Sequence, residues 1–315
     1  MSGSGPHLID DAPLTAFHKK LTAYSSGGPF IDGYALTVIG IALISLTPAL
    51  GLSTTEVGLV GAASLVGVFV GGLVFGYVTD RVGRQVMYVV DLLVMAAASI
   101  ASAFATDVWQ IIALRFVLGV AIGADYPIAT SLLCEFLPRK QRGRMLGAVF
   151  VVWAVGAAAA YAVGFGLRGL GPDAWRWMLA SPAVFAVITL LLRLGTPESP
   201  RWLLSKGKVE QAKAAMRKAY GDGWDEAGLA DLAEAAAAPT SFRRVFRPPH
   251  LRRTAFVAVF WTAQVVPLFA VYTFAPDLLS SFGMTGDANL YGGSEERRVG
   301  KERLAVCRSR WSPYH

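Results

Sequence analysis

Four ionisable residues fall inside long apolar stretches of this chain: Asp32, Asp91, Arg115 and Asp125. A charge at the centre of a membrane helix costs about 2.5–3.5 kcal/mol on insertion scales, so each of the four needs a physical reason to be there. Asp125 is the strongest candidate for chemistry. It lies in Gly119-Val-Ala-Ile-Gly123-Ala-Asp125-Tyr126-Pro127, among apolar neighbours. A carboxyl group there can take up and release a proton; the alternative is a structural hydrogen bond to a neighbouring helix. Asp32 opens Asp32-Gly33-Tyr34-Ala35-Leu36, and either carries a proton or caps a helix start. Arg115 stands about 15 Å along a helix from Asp125 and about 80° around it, so the two need not pair. Binding an anionic substrate is one use for such an arginine. Asp91 is expected to pair with an arginine of the preceding turn, such as Arg84.

Other chemistries find no support. The two cysteines, Cys134 and Cys307, offer no zinc spacing and no disulfide framework. No His-rich cluster, Ser-His-Asp constellation or metal spacing stands out, so neither an enzyme nor a bound cofactor is expected.

The elements that must position these residues are long and apolar. Of 315 residues 54% are hydrophobic and 16% charged, well below the charge of a soluble domain. Seven apolar blocks stand out, roughly Phe30–Leu50, Val57–Val78, Val86–Ala105, Val108–Phe136, Met145–Gly166, Trp175–Leu194 and Ala255–Leu279. Most are about as long as a helix needs to cross a bilayer. The +7 net charge is not a nucleic-acid signature, because of where the cations lie. Lys19, Lys20, Arg81, Arg84, Arg139, Lys140, Arg142 and Arg144 occupy alternate connections, and twelve more Lys and Arg run from Arg193 to Arg253. The intervening connections hold Arg168 and Arg176. This positive-inside pattern predicts a multi-pass protein of the plasma (inner) membrane with a cytoplasmic N-terminus.

Between the second and third blocks lies Gly76-Tyr-Val-Thr-Asp80-Arg81-Val-Gly83-Arg84. This turn closely resembles the G-x-x-x-D-R-x-G-R signature of the major facilitator superfamily, secondary transporters with twelve helices. The resemblance implies an all-α polytopic membrane protein: the N-terminal six-helix half of a twelve-helix fold, followed by a seventh helix. Inverted three-helix repeats would build each half. It also implies a cytoplasmic gating network, onto which Asp80, Arg81, Gly83, Arg84, Glu135, Arg142, Arg144, Glu198 and Arg201 fall. Topology signals alone are the competing account of those charges.

Finer resemblances concern coupling and substrate. The Asp125-Tyr126-Pro127 stretch, continued to Glu135, resembles proton-coupled phosphate symporters, which implies proton translocation by Asp125 and a substrate-site role for Tyr126. Thr196-Pro-Glu198-Ser199-Pro200-Arg201-Trp-Leu-Leu resembles sugar porters and their organic-solute relatives. The likeness to sugar porters implies that Arg115 modulates the protonation of the first-helix aspartate. Departures limit the substrate reading. Ala35 stands where both groups carry an Asp, leaving Asp32 as the first block's carboxylate. Gly156-Ala157 replaces the Gly-Gln of sugar porters, Phe269 replaces their Asn, and Val265 replaces an Asp of phosphate symporters. Tyr34, Tyr126, Trp153, Tyr161, Trp261, Gln264 and Tyr272 are the candidate cavity lining; packing within the core is the other reading of these aromatics. The lining leans toward a small organic acid or aromatic solute.

The chain therefore divides into a cytoplasmic N-terminus (1–29), a six-helix half (30–194), a cytoplasmic linker (195–253) and a seventh span (254–282). Within the linker, Ser199 and Pro200 open a helix, Val209–Tyr220 form a second ended by Gly221, and Leu229–Ala238 a third. Residues 292–315 hold six basic and three acidic residues, fit no membrane helix and resemble a translated sequencing adapter, so a non-native tail is expected, with five further helices in the natural protein. The function expected is solute transport coupled to protons. The expected partners are a small-molecule solute, protons, the lipid bilayer and the missing C-terminal half, with no nucleic acid. A non-transporting membrane sensor of the same fold, or an inactive fragment, is the alternative.

Overall fold

A computed structural model describes residues 14–194, 196–221 and 246–282. Leu229–Ala238, residues 292–315 and the side chain of Tyr272 lie outside the described residues. Every regular element among the described residues is helical. An amphipathic helix α1 (Ala16–Ser25) leads into α2 (Gly27–Leu50), followed by α3 (Thr54–Val82), α4 (Arg84–Ala103), α5 (Val108–Phe136) and α6 (Arg139–Leu167). A 3₁₀ turn then precedes α7 (Ala174–Ala180) and α8 (Pro182–Arg193), and the linker contributes α9 (Pro200–Ser205) and α10 (Val209–Tyr220). The long α11 (His250–Ser281) completes the described chain. Seven helical segments among the described residues are long and apolar enough to cross a membrane; the first six contain their blocks or nearly all of them, and the seventh, His250–Val271, contains the larger part of Ala255–Leu279.

Local signals explain most boundaries. Ser53 caps α3 by accepting from the Glu56 amide, and Glu56 reaches back to the Ser53 amide at 2.8 Å. Asp107 caps α5. Gly51 and Gly221 end α2 and α10 with φ of 63° and 69°, a backbone region glycine enters without steric cost. The sixth block forms one span, as expected, with a break in its hydrogen-bond ladder where Pro182 lacks the N–H that would continue α7 and instead starts α8.

The helices pack by close approach rather than by amphipathicity, since both their faces are apolar. Gly67 and Gly71 on α3 rest on the backbone of Phe116 and Val120 of α5, while Gly119 and Gly123 of α5 rest on Ser64 and Val68 of α3. Gly33 of α2 lies against the Trp153 carbonyl of α6, and Gly156 of α6 against that of Phe30. A side chain at any of these positions would separate the helices. Gly72 and Gly76, in the same stripe, are not pressed in this way. Outside, Phe69, Leu73, Val151 and Leu191 face away from the core, as a lipid-facing surface requires.

Candidate functional site

Near the α1–α2 junction, three carboxyl groups from three helices converge on one arginine. Asp125 of α5 and Arg193, the last residue of α8, form an ion pair at 3.3 Å with both side chains 1% exposed. The other two guanidinium nitrogens are also engaged: Nε donates to the Tyr24 carbonyl and one terminal nitrogen to the Ser25 carbonyl, both at 3.1 Å. These are carbonyls of the last turn of α1, where a helix presents partial negative charge. The guanidinium also lies 3.3 Å from the ring centre of Tyr88 on α4. Gly28 backs directly onto the Asp125 carboxyl and Arg193, so that any side chain there would occupy their space.

Asp91 of α4 and Asp32 of α2 complete the cluster. Asp91 accepts from its neighbour's amide, Leu92, at 2.6 Å, and its carboxyl lies within electrostatic reach of Asp125. Asp32 is fully buried, within electrostatic reach of Asp125, Asp91 and Arg193, and neither of its oxygens finds a hydrogen-bond partner. If all three acids were ionised, one guanidinium would face three negative charges in a space without solvent, an arrangement with a large desolvation cost.

Beside this cluster lies a cavity of about 620 Å³ between α2, α3, α5, α6 and α11. Tyr126, Trp153, Trp261 and Gln264 line it, with Thr130 and Phe269. Tyr126 links the two, since it faces the cavity and stands within electrostatic reach of Asp32 and Asp125.

A second constellation forms a rim at the end of the bundle where the charge pattern predicts the cytoplasmic side. Glu135, at the end of α5, pairs with Arg84 and accepts from the Ser199 hydroxyl. Glu198 accepts from the amides of Arg84 and Gln85 at 3.1 and 3.0 Å, capping the start of α4 from across the fold. Trp202 donates its indole N–H to the Asp80 carbonyl at 3.0 Å. Gly83, with φ 116°, lies where a side chain would strike Glu198 and Trp202. The turn, the foot of α5 and the start of the linker are thereby tied together.

The family model described as sugar (and other) transporter matches residues 12–293. The chain belongs to this family. Two relatives in Escherichia coli (strain K12) are each 40% identical: the putative metabolite transport protein YaaU, over 88% of this chain and 61% of its own, and the inner membrane metabolite transport protein YgcS, over 89% and 62%. The chain thus spans about three fifths of the length of these curated relatives. Among solved structures, the major facilitator proton:xylose symporter XylE with bound 6-bromo-6-deoxy-D-glucose superposes with a TM-score of 0.74 at 23% identity, over 88% of this chain and 65% of that one. Its inward open form gives 0.70 over 83% and 64%. The architecture of this sugar (and other) transporter family member is therefore the major facilitator fold, and its relatives YaaU and YgcS are named as transport proteins rather than enzymes.

Several expectations for this transporter-family chain change in the structure. Asp91 does not pair with Arg84, which is engaged by Glu135; Asp91 points into the cluster instead. Asp32 caps nothing, since α2 begins at Gly27. Arg115 is buried but donates to the Ala35 carbonyl at 2.9 Å and the Ser64 hydroxyl at 3.1 Å, so it holds α2 and α3 rather than a carboxylate. Tyr34 is fully buried, bonded to Ser181 at 2.7 Å and packed on Phe30 and Phe185. Tyr161 packs beside the same core. Neither lines the cavity that Tyr126, Trp153, Trp261 and Gln264 share. At the rim, Arg81 stacks on Tyr77 at 4.2 Å, Arg142 donates to the Leu137 carbonyl at 3.0 Å, and Arg144 and Arg201 are exposed. Arg193, counted among the linker cations by its position at the end of an apolar block, is the residue that sequence reasoning missed.

Proposed function

We propose that the full-length protein is a secondary active transporter of the plasma (inner) membrane, N-terminus cytoplasmic, that moves a small organic solute with protons by alternating access. The observation that carries this reading is the buried cluster of Asp32, Asp91 and Asp125 around one arginine, next to a solute-sized cavity. Three acids with one counter-charge are stable in a dry site when protons neutralise the excess, and a site that holds protons beside a substrate cavity can exchange them during the cycle. Transporter sites of this fold lie at the midplane, where the two halves rock around them.

The cavity supports an organic solute with an apolar or aromatic face. Its lining is dominated by Trp153, Trp261, Phe150, Phe269 and Tyr126, with Gln264 and Thr130 as polar groups, and it holds few of the donors that a hydroxyl-rich sugar needs. The solute would bind against Tyr126 and Trp153, with Asp125 taking the proton. The rim network of Glu135, Arg84, Glu198 and Ser199 would brace the cytoplasmic closure.

The test uses the full-length protein in proteoliposomes, with labelled benzoate, nicotinate and xylose as probes. Uptake is measured with and without an imposed proton gradient. Accumulation is expected to require the gradient and to be lost in Asp125→Asn. Gradient-driven accumulation unchanged in that variant would sink the proposal.

A further inference from the structure

Each of the three guanidinium nitrogens of Arg193 makes a hydrogen bond in a buried place. One terminal nitrogen meets Asp125 at 3.3 Å, the other meets the Ser25 carbonyl at 3.1 Å, and Nε meets the Tyr24 carbonyl at 3.1 Å. The side chain is 1% exposed and lies over the Tyr88 ring. Of these contacts, only the one to Asp125 depends on protonation. The two backbone carbonyls and the aromatic face are permanent, so they hold the guanidinium in place whether or not Asp125 carries a proton.

We infer that Arg193 is the positioning residue for proton exchange at Asp125: an internal cation, fixed by the last turn of α1, that takes the proton's place when Asp125 ionises. This rests on the proton-coupling reading of the site. The groups facing Asp125 are Arg193 from α8, Asp91 and Tyr88 from α4, Asp32 from α2 and its own neighbour Tyr126. Of these, Arg193 alone is cationic. Arg193 is therefore the one counter-charge that this cluster offers an ionised Asp125. A fixed cation also gives the released state a partner. Without it, an ionised Asp125 would be buried against two further carboxyl groups.

The arrangement links that balance to α1. Phe17 packs on Phe136 at 5.5 Å, and His18 packs on Tyr220 of α10 at 5.2 Å. The Tyr220 hydroxyl donates to the Phe136 carbonyl at 2.6 Å. The helix that fixes Arg193 is thus seated on the foot of α5 and on the linker, the same elements that form the cytoplasmic rim. When Asp125 is protonated, Arg193 remains with α1 while its bond to α5 weakens.

The test is an infrared titration of the full-length protein in lipid, with no solute added. It follows the carbonyl stretch of protonated carboxyl groups as pH is varied, and the component absent from Asp125→Asn is assigned to Asp125. In Arg193→Gln the midpoint of that component is expected to rise by about 1 pH unit or more, the size of an arginine's effect on a neighbouring acid. Arg193→Lys, which keeps the charge, is expected to restore much of the wild-type midpoint. An unchanged midpoint in Arg193→Gln overturns the inference, as does Arg193→Lys behaving like Arg193→Gln. Where Arg193→Gln alone does not fold, the pair Asp125→Asn/Arg193→Gln is expected to fold, because it leaves no ion without its partner; its failure to fold also overturns the inference. A wild-type protein with no titrating carboxyl component defeats the proton-coupling reading itself, a result distinct from failure of the Arg193 role alone.

Discussion

The two charged constellations of this half obey different electrostatic rules. At the rim, Arg84 faces Glu135, Glu198 is met by backbone amides, and exposed cations stand close by. Glu135 and Glu198 each have a counterpart, and the surrounding cations are open to the surface. Inside the bundle, Asp32, Asp91 and Asp125 share Arg193. A balanced network works as a clasp, its strength set by geometry. In the proposed reading an unbalanced one is completed by protons and responds to their supply. On that reading the fold separates bracing from coupling, with α5 running from one to the other.

The sharpest way to break this contrast is at its centre. Asp125→Asn is expected to lower gradient-driven uptake at least tenfold, equivalent to about 1.4 kcal/mol of lost coupling, in the proteoliposome assay. Glu135→Gln should instead act on stability: weakening a partly buried, charge-assisted contact to Arg84 and Ser199 is expected to cost about 1–3 kcal/mol, read as a lower melting temperature, with the pH profile of uptake unmoved. A shifted pH profile in Glu135→Gln would erase the distinction between clasp and coupling site. Glu198→Gln keeps the shape of the cap on α4 and loses its charge. It is expected to cost about 0.5–1 kcal/mol by the same thermal measurement. Asp80→Asn is the smallest perturbation. Its side chain is 74% exposed and 4.0 Å from Arg84, so a change below about 0.5 kcal/mol is expected. A large loss of stability there would mean that the rim depends on Asp80's charge rather than on the Trp202 bond to its backbone.

Substrate and scaffold can be separated in the same way. Trp153→Ala opens the cavity wall and should raise the KM for whichever probe is transported. Gly119→Val presses on Ser64 at the α3–α5 crossing and should cost about 1–3 kcal/mol of stability instead. Equal effects on KM would make the cavity a consequence of packing rather than a binding site.

Much of this molecule was legible in the order of its residues, because the determining interactions are local. Apolar length sets which segments cross a bilayer. Ser53, Asp107 and Ser199 announce helix starts through bonds to amides two or three residues away. Gly67, Gly119 and Gly123 mark a close crossing because only glycine tolerates it. Pro182 interrupts the sixth block for a local reason too, although a hydropathy reading passes over it. Asp125 and Asp32 stood out because charge in an apolar run is costly wherever the run is placed.

The partners of those charges were decided by tertiary structure alone. Arg193 lies 68 positions from Asp125 and ends its apolar block, where a cation usually marks the membrane interface. Its inward turn depends on the rotation of α8 and on α1 supplying two carbonyls. Asp91 turns from Arg84 toward Asp125, and Arg115 turns to the Ala35 carbonyl, for the same reason: a helix fixes the spacing of its own residues, while packing against its neighbours fixes which way they face. Tyr34 and Tyr126, similar in sequence surroundings, were separated into core and cavity by that rotation.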